Sequence, residues 1–139
     1  MISNSPQETI EIAKNIGQRL KQPAVITLEG EMGAGKTCFA RGLVMGLGST
    51  ELVTSPTFAL VNIYSGSKFK IYHFDMYRVK GFFDLESTGF FDFLSQQAIL
   101  IIEWSSNVLE YLPDQRIDIQ IMKLKGEKRE IKVVYGLNI

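Results

Sequence analysis

Hydrophobic and polar positions along this chain follow two periods, and each marks a different element. Ile12, Ala13, Ile16 and Leu20 recur at helical spacing behind Ser5-Pro6-Gln7-Glu8, which places Ser at the N-cap, Pro in the first turn and Glu three residues after the Ser. This predicts a helix running to about Lys21. Pro23 to Leu28 is a short apolar run of buried-strand type. Cys38 to Leu47 returns to the helical period, with Phe39, Leu43 and Leu47 on one face and a stop near Gly46-Leu47-Gly48. Val53 to Thr57 is polar and broken by Pro56, hence a loop. Phe58 to Tyr64 and Phe69 to Phe74 are β-rich runs joined by Ser65-Gly66-Ser67-Lys68, short enough for an antiparallel hairpin. Leu85, Phe90, Phe91 and Leu94 suggest short helical pieces, and Ala98 to Ile102 reads as a central strand. Ser106 to Leu112 predicts a short helix stopped by Pro113. Arg116 to Leu124 and Arg129 to Val134 predict a second hairpin around Lys125 to Lys128. The order of elements implies an α/β fold, a mixed sheet with helices on its faces, in a single domain spanning residues 1–139.

Composition narrows the setting. A chain of 139 residues, 45% hydrophobic and 22% charged, is large enough for one real core and has the balance of a soluble globular protein. Its longest apolar candidate, Ala98 to Ile102, ends at Glu103, far short of a membrane span. The first residues carry neither a basic nor an apolar segment, so no signal peptide is expected. One cysteine cannot form an internal disulfide, which fits a reducing, cytoplasmic location. Fifteen basic and fifteen acidic residues cancel, whereas a chain that grips nucleic acid by itself is usually basic. A nucleic-acid role is therefore expected to be indirect, through a partner.

The chemistry concentrates at Gly30-Glu31-Met32-Gly33-Ala34-Gly35-Lys36-Thr37, which satisfies G-x-x-x-x-G-K-[ST] between a strand and a helix. In that context the backbone N–H groups of Gly33, Ala34, Gly35, Lys36, Thr37 and Cys38 wrap a di- or triphosphate, the Lys36 ammonium neutralises the terminal phosphates and the Thr37 hydroxyl binds Mg²⁺. Gly33 and Gly35 permit close backbone approach and unusual φ. Cys38 acts through its N–H rather than its thiol. Thr37 is one ligand and Mg²⁺ needs an acid at the end of a neighbouring strand. Asp75 and Glu103 both end apolar runs, and spacing alone does not say which holds the metal and which orients the attacking water. Thr54 to Thr57 lies where phosphate-loop switches sense a γ-phosphate. His73 is as well explained by structure as by proton transfer, and Arg78 by an ion pair as by an arginine finger.

These residues resemble a known family. Gly30 to Thr37, then Ser55-Pro56-Thr57-Phe58, His73-Phe74-Asp75-Met76-Tyr77-Arg78 and Ile102-Glu103-Trp104 stand in the order and approximate spacing of the bacterial TsaE (YjeE) family, and Leu112-Pro113 before a strand extends the likeness over nearly the full chain. The resemblance implies a small P-loop ATPase, with ATP and Mg²⁺ as cofactors, required for threonylcarbamoyladenosine formation in tRNA together with the TsaB–TsaD pair. It implies that Thr37 and Glu103 ligate Mg²⁺, that Asp75 completes the site or acts on the water, and that Lys36, Asp75 and Glu103 are catalytic. It also implies adenine or ribose contacts, for which Arg129 and the Ser5–Glu8 region are candidates. The chain departs from the family pattern at Glu31-Met32, where Asp-Leu is more usual, at Cys38, where a second Thr is usual, and at Phe82-Phe83. Two rival functions remain open from the residues: a small-molecule kinase and a non-hydrolysing nucleotide switch. A GTPase is disfavoured because no N-K-x-D motif occurs.

Overall fold

The structure, a computed structural model, describes residues 1–56 and 60–136. Among them, seven strands share one sheet: β1 (Ile2–Ser3), β2 (Ala24–Glu29), β3 (Val61–Ser65), β4 (Lys70–Asp75), β5 (Ile99–Glu103), β6 (Ile117–Lys123) and β7 (Arg129–Tyr135), in the spatial order β1-β7-β6-β2-β5-β4-β3. The four inner strands β6, β2, β5 and β4 run parallel, while β3 returns antiparallel on β4, β7 on β6 and β1 on β7. The predicted α/β class and both hairpins are present.

Side-chain alternation along β2 explains the two layers. Ile26 and Leu28 face one side, where they join Ile101, Ile119 and Ile121 under helices α1 (Pro6–Arg19) and α2 (Lys36–Gly46). Val25 faces the other side, with Tyr72, Phe74, Leu100 and Ile102, beneath the short helices α3 (Phe82–Ser87) and α4 (Phe90–Leu94). Strand β5 is buried at every position, as its unbroken apolar run requires. The first helix starts as its sequence dictates: Ser5 accepts the Glu8 N–H at 3.2 Å and the Glu8 carboxylate accepts the Asn4 N–H in return, also at 3.2 Å. Ala13 and Ile16 of its predicted stripe are buried; Ile12 and Leu20 pack half-exposed against the same core.

Two expectations are corrected in detail, one element was not anticipated, and one boundary lies outside the described residues. The second helix begins at Lys36, two residues before the apolar period starts, because Gly35 at φ 106° turns the chain directly into it. The helix expected at residues 106–112 is two short 3-10 turns, Ser105–Asn107 and Leu109–Tyr111, too brief for α-helical nucleation. The first residues form β1, a two-residue strand that pairs with β7 and has too little sequence for a period. The strand predicted from Phe58 is described from Val61; Thr57, Phe58 and Ala59 lie outside the described residues. Among the described residues no helix is long and apolar enough to cross a membrane.

The two long helices cross at glycines. A Cβ built on Gly42 would lie 2.3 Å from the Ile10 carbonyl oxygen and 2.6 Å from the Ala13 Cβ, and one on Gly46 2.2 Å from the Lys14 carbonyl oxygen. The approach is backbone against backbone, so nothing flexible can yield. Gly42→Ala therefore destabilises the protein by about 1–3 kcal/mol through overpacking, although Ala is the better helix former by about 1 kcal/mol. Thermal denaturation should show a fall of several degrees; an unchanged or higher Tm would contradict the close crossing.

Candidate functional site

Parallel pairing brings the chemistry together. Leu28, Glu103 and Asp75 sit at one level across β2, β5 and β4, so the glycine-rich loop at residues 30–37 and both acids emerge side by side at the carboxyl edge of the sheet. This is the edge at which open α/β sheets bind ligands. A cleft of about 530 Å³ opens there. It is lined by Gly33, Gly35, Lys36, Thr37 and Cys38 of the loop and α2, by Asp75, Glu103 and Trp104 at the strand ends, and by Ser55, Tyr77 and Arg78.

The start of α2 is built for an anion. Its N-cap is Gly35, left-handed and without a side-chain cap, so the first-turn N–H groups meet no capping side chain and face the cleft with the positive end of the helix dipole. Lys36 folds back over the loop: its Nζ donates to the Gly30 carbonyl at 2.6 Å and lies 3.4 Å from the centre of the Trp104 ring. Burial pushes its ammonium below the ordinary lysine range, and the carboxylates of Glu103, Glu29 and Asp75 partly oppose that shift.

The two acids differ in setting. Glu103 is buried, and one of its oxygens meets Nε2 of fully buried His73 at 2.5 Å. Among the described residues His73 Nδ1 is buried without a hydrogen-bond partner, so the ring is held through Nε2 alone. Asp75 is half-exposed and accepts the Tyr77 N–H at 2.9 Å through one oxygen. Both acids line the cleft. Hard oxygen donors from Thr37, Glu103 and Asp75 around one cleft suit Mg²⁺, which is usually held by one or two carboxylates together with substrate phosphates rather than by an all-protein cage.

Strain gathers at the same place. Among the described residues the non-glycine residues at positive φ are Leu60 (65°) and Trp104 (58°), and both line the cleft. The Leu60 carbonyl accepts the Asp75 N–H at 3.0 Å. Trp104 is pinned from its far side, where one oxygen of Glu29 accepts both the N–H and the hydroxyl of Ser105, at 2.7 and 2.5 Å. Tyr77 packs edge-on against the Trp104 ring with centroids 5.1 Å apart.

Of the residues singled out from the sequence, Gly33, Gly35, Lys36, Thr37, Cys38, Asp75 and Glu103 meet in this cleft. Ala34 is fully buried beneath the loop. Arg129 stands behind the loop, with its Nε on the Ala34 carbonyl at 2.9 Å and an Nη on the Gly33 carbonyl at 3.4 Å. Ser5 and Glu8 are engaged in capping α1 and do not line the cleft. Thr57 of the switch-like segment lies outside the described residues. Sequence reasoning did not anticipate the His73–Glu103 contact or the Glu29–Ser105 clamp. The signal for the first was that His73 and Glu103 both lie close to the ends of apolar runs.

Comparison with known proteins identifies this arrangement. A sequence model of the family described as threonylcarbamoyl adenosine biosynthesis protein TsaE matches residues 3–131. The chain belongs to the TsaE family. It is 38% identical over 127 residues to the tRNA threonylcarbamoyladenosine biosynthesis protein TsaE of Bacillus subtilis, covering 91% of this chain and 79% of that one. It is 36% identical to the TsaE protein of Treponema pallidum, over 95% of this chain and 97% of that one. The crystal structure of Bacillus subtilis YdiB superposes with a TM-score of 0.83 at 33% identity, covering 99% of this chain and 85% of that chain. The TsaE fold in this chain thus carries the phosphate loop, the paired acids and the strained tryptophan as one unit.

The depressed lysine generates a prediction. Because the Lys36 ammonium binds its proton less tightly in the folded state than in the unfolded chain, its charge opposes folding at pH values below the ordinary lysine range. Lys36→Met should raise the Tm of the nucleotide-free protein by a few degrees while abolishing phosphate binding, measured by calorimetry and titration. A fall in Tm would mean that the Gly30 and Trp104 contacts outweigh the desolvation.

Proposed function

We propose that this protein is a Mg²⁺-dependent P-loop ATPase that serves threonylcarbamoyladenosine formation in tRNA, acting with TsaB and TsaD rather than on tRNA by itself. The observation that carries the reading is the meeting of an uncapped, glycine-led helix start with two strand-end carboxylates and the Thr37 hydroxyl around one cleft. Membership of the TsaE family supports the place in tRNA modification. The formal neutrality of the chain supports an indirect link to RNA.

In this reading the N–H groups at the start of α2 bind the β-phosphate and orient the chain of phosphates. Lys36 delivers a point charge to the terminal phosphates. Thr37 and Glu103 would hold Mg²⁺, with His73 fixing the Glu103 carboxylate through one of its oxygens. The metal, when bound, would neutralise charge on the β- and γ-phosphate oxygens. Asp75, the more exposed acid, orients the attacking water and accepts its proton. The cytoplasm is the expected location.

Turnover assayed alone and with TsaB–TsaD tests this directly. Glu103→Ala should keep nucleotide bound yet lower hydrolysis roughly 100-fold or more, the scale of losing one preorganised electrostatic group. Unchanged turnover would remove Glu103 from the metal site. Thr37→Ala should weaken Mg²⁺-dependent nucleotide binding more than metal-free binding, and an equal loss in both would count against its ligand role. Phosphate transfer to a small acceptor, or tight binding with no turnover in the full assembly, would replace the ATPase reading with a kinase or a switch.

A further inference from the structure

We propose that Arg129 is a positioning residue that braces the phosphate loop from behind and sets the direction of the Gly35 N–H, an inference that rests on the nucleotide-binding reading of the cleft. Arg129 opens β7, beside Lys123 of β6 and Ser3 of β1, and its guanidinium meets four backbone carbonyls. Two belong to its own hairpin, Gly126 at 2.9 Å and Lys128 at 3.0 Å. Two belong to the glycine-rich loop, Ala34 at 2.9 Å and Gly33 at 3.4 Å, 95 and 96 residues away. The fork is therefore a staple between hairpin and loop, and among the described residues it enters no ion pair.

The consequence follows from peptide planarity. In a trans peptide unit the C=O and the next N–H point to opposite sides. With the Ala34 carbonyl held toward Arg129, the Gly35 N–H is turned away from it, toward the cleft that Gly35 lines. Gly35 and Gly33 both sit at positive φ, conformations whose freedom makes this stretch costly to order. The staple supplies that order before any ligand arrives, which raises affinity by reducing the entropy lost on binding. Lysine at this position keeps the charge but lacks the planar fork, and so cannot reproduce the geometry.

Binding of inorganic tripolyphosphate and of ATP to the full-length protein separates this role from contact with the base. Arg129→Gln should weaken both probes by the same factor, roughly tenfold or more, the scale of a lost charged hydrogen bond. Arg129→Lys should remain impaired for both. Amide hydrogen exchange supplies a second readout: tripolyphosphate should slow exchange in residues 124–129 of the wild type but not of Arg129→Gln, whose unliganded Tm should shift by only a few degrees. Loss for ATP with tripolyphosphate unaffected would make Arg129 a base contact and overturn the brace. Full rescue by Arg129→Lys would reduce its effect to charge and overturn it as well. If the wild type bound neither probe, the nucleotide reading itself would fall; if it bound both and Arg129→Gln matched it, only the brace would.

Discussion

Everything chemical in this protein depends on the register of three parallel strands. Pairing β2 with β5 and β5 with β4 so that Leu28, Glu103 and Asp75 stand level leaves three chain exits at one edge of the sheet. One exit becomes the phosphate loop, the other two deliver carboxylates beside it. Register here is set by how the side chains of β5 interlock on both faces: a slip of one residue would exchange Ile99 and Ile101, packed under α1 and α2, with Leu100 and Ile102 of the opposite layer. The isoleucines that make this sheet stable are thus also what aim the acids. No loop has to find the site by itself, and that suits a chain with few residues to give to a dedicated scaffold.

The same edge holds the least comfortable residues of the molecule. Lys36 is desolvated, His73 is buried with one ring nitrogen unpartnered, and Trp104 and Leu60 occupy the left-handed region that bulky residues avoid. Neighbours hold several of them in place. Glu29 grips Ser105 and so fixes the turn at Trp104, whose ring covers the Lys36 ammonium. Glu103 meets Nε2 of His73. The strain is therefore local and stabilised by the layers around it, as expected where preorganisation is the function. Burial of the Lys36 cation weighs against stability, and the carboxylates of Glu103, Glu29 and Asp75 only partly offset it. Stability and ligand affinity make opposite demands on Lys36.

Much of this was legible beforehand, and the reasons for the exceptions are physical. Period and punctuation announced β2, β5, both hairpins and the two long helices, because each carries either an unbroken apolar run or a clear helical stripe. The phosphate loop announced itself through spacing, and Asp75 and Glu103 through their place at strand ends. What the pattern did not carry was anything that depends on which strands become neighbours. His73 and Glu103 are 30 residues apart and touch only because β4 and β5 pair in parallel. Glu29 and Ser105 are 76 residues apart and meet for the same kind of reason across β2 and β5. The 3-10 turns after β5 were misread as a helix because a segment that short has no period to distinguish them.

Arg129 illustrates the limit most sharply. The family resemblance implies an adenine or ribose contact for a basic residue near the last hairpin, with Arg129 as a candidate. In the fold, its donors go to carbonyl oxygens of the backbone, two on each side of the gap between hairpin and loop. A guanidinium directed at carbonyls acts through geometry: it fixes peptide planes, and through them the N–H groups on their far sides. Thermodynamic reciprocity then applies to the hairpin itself. If holding the loop favours an anion in the cleft, an anion in the cleft must favour the held hairpin, by the same free energy. On the proposed brace, the exposed turn at residues 124–128 would be linked to the occupancy of a site it does not line.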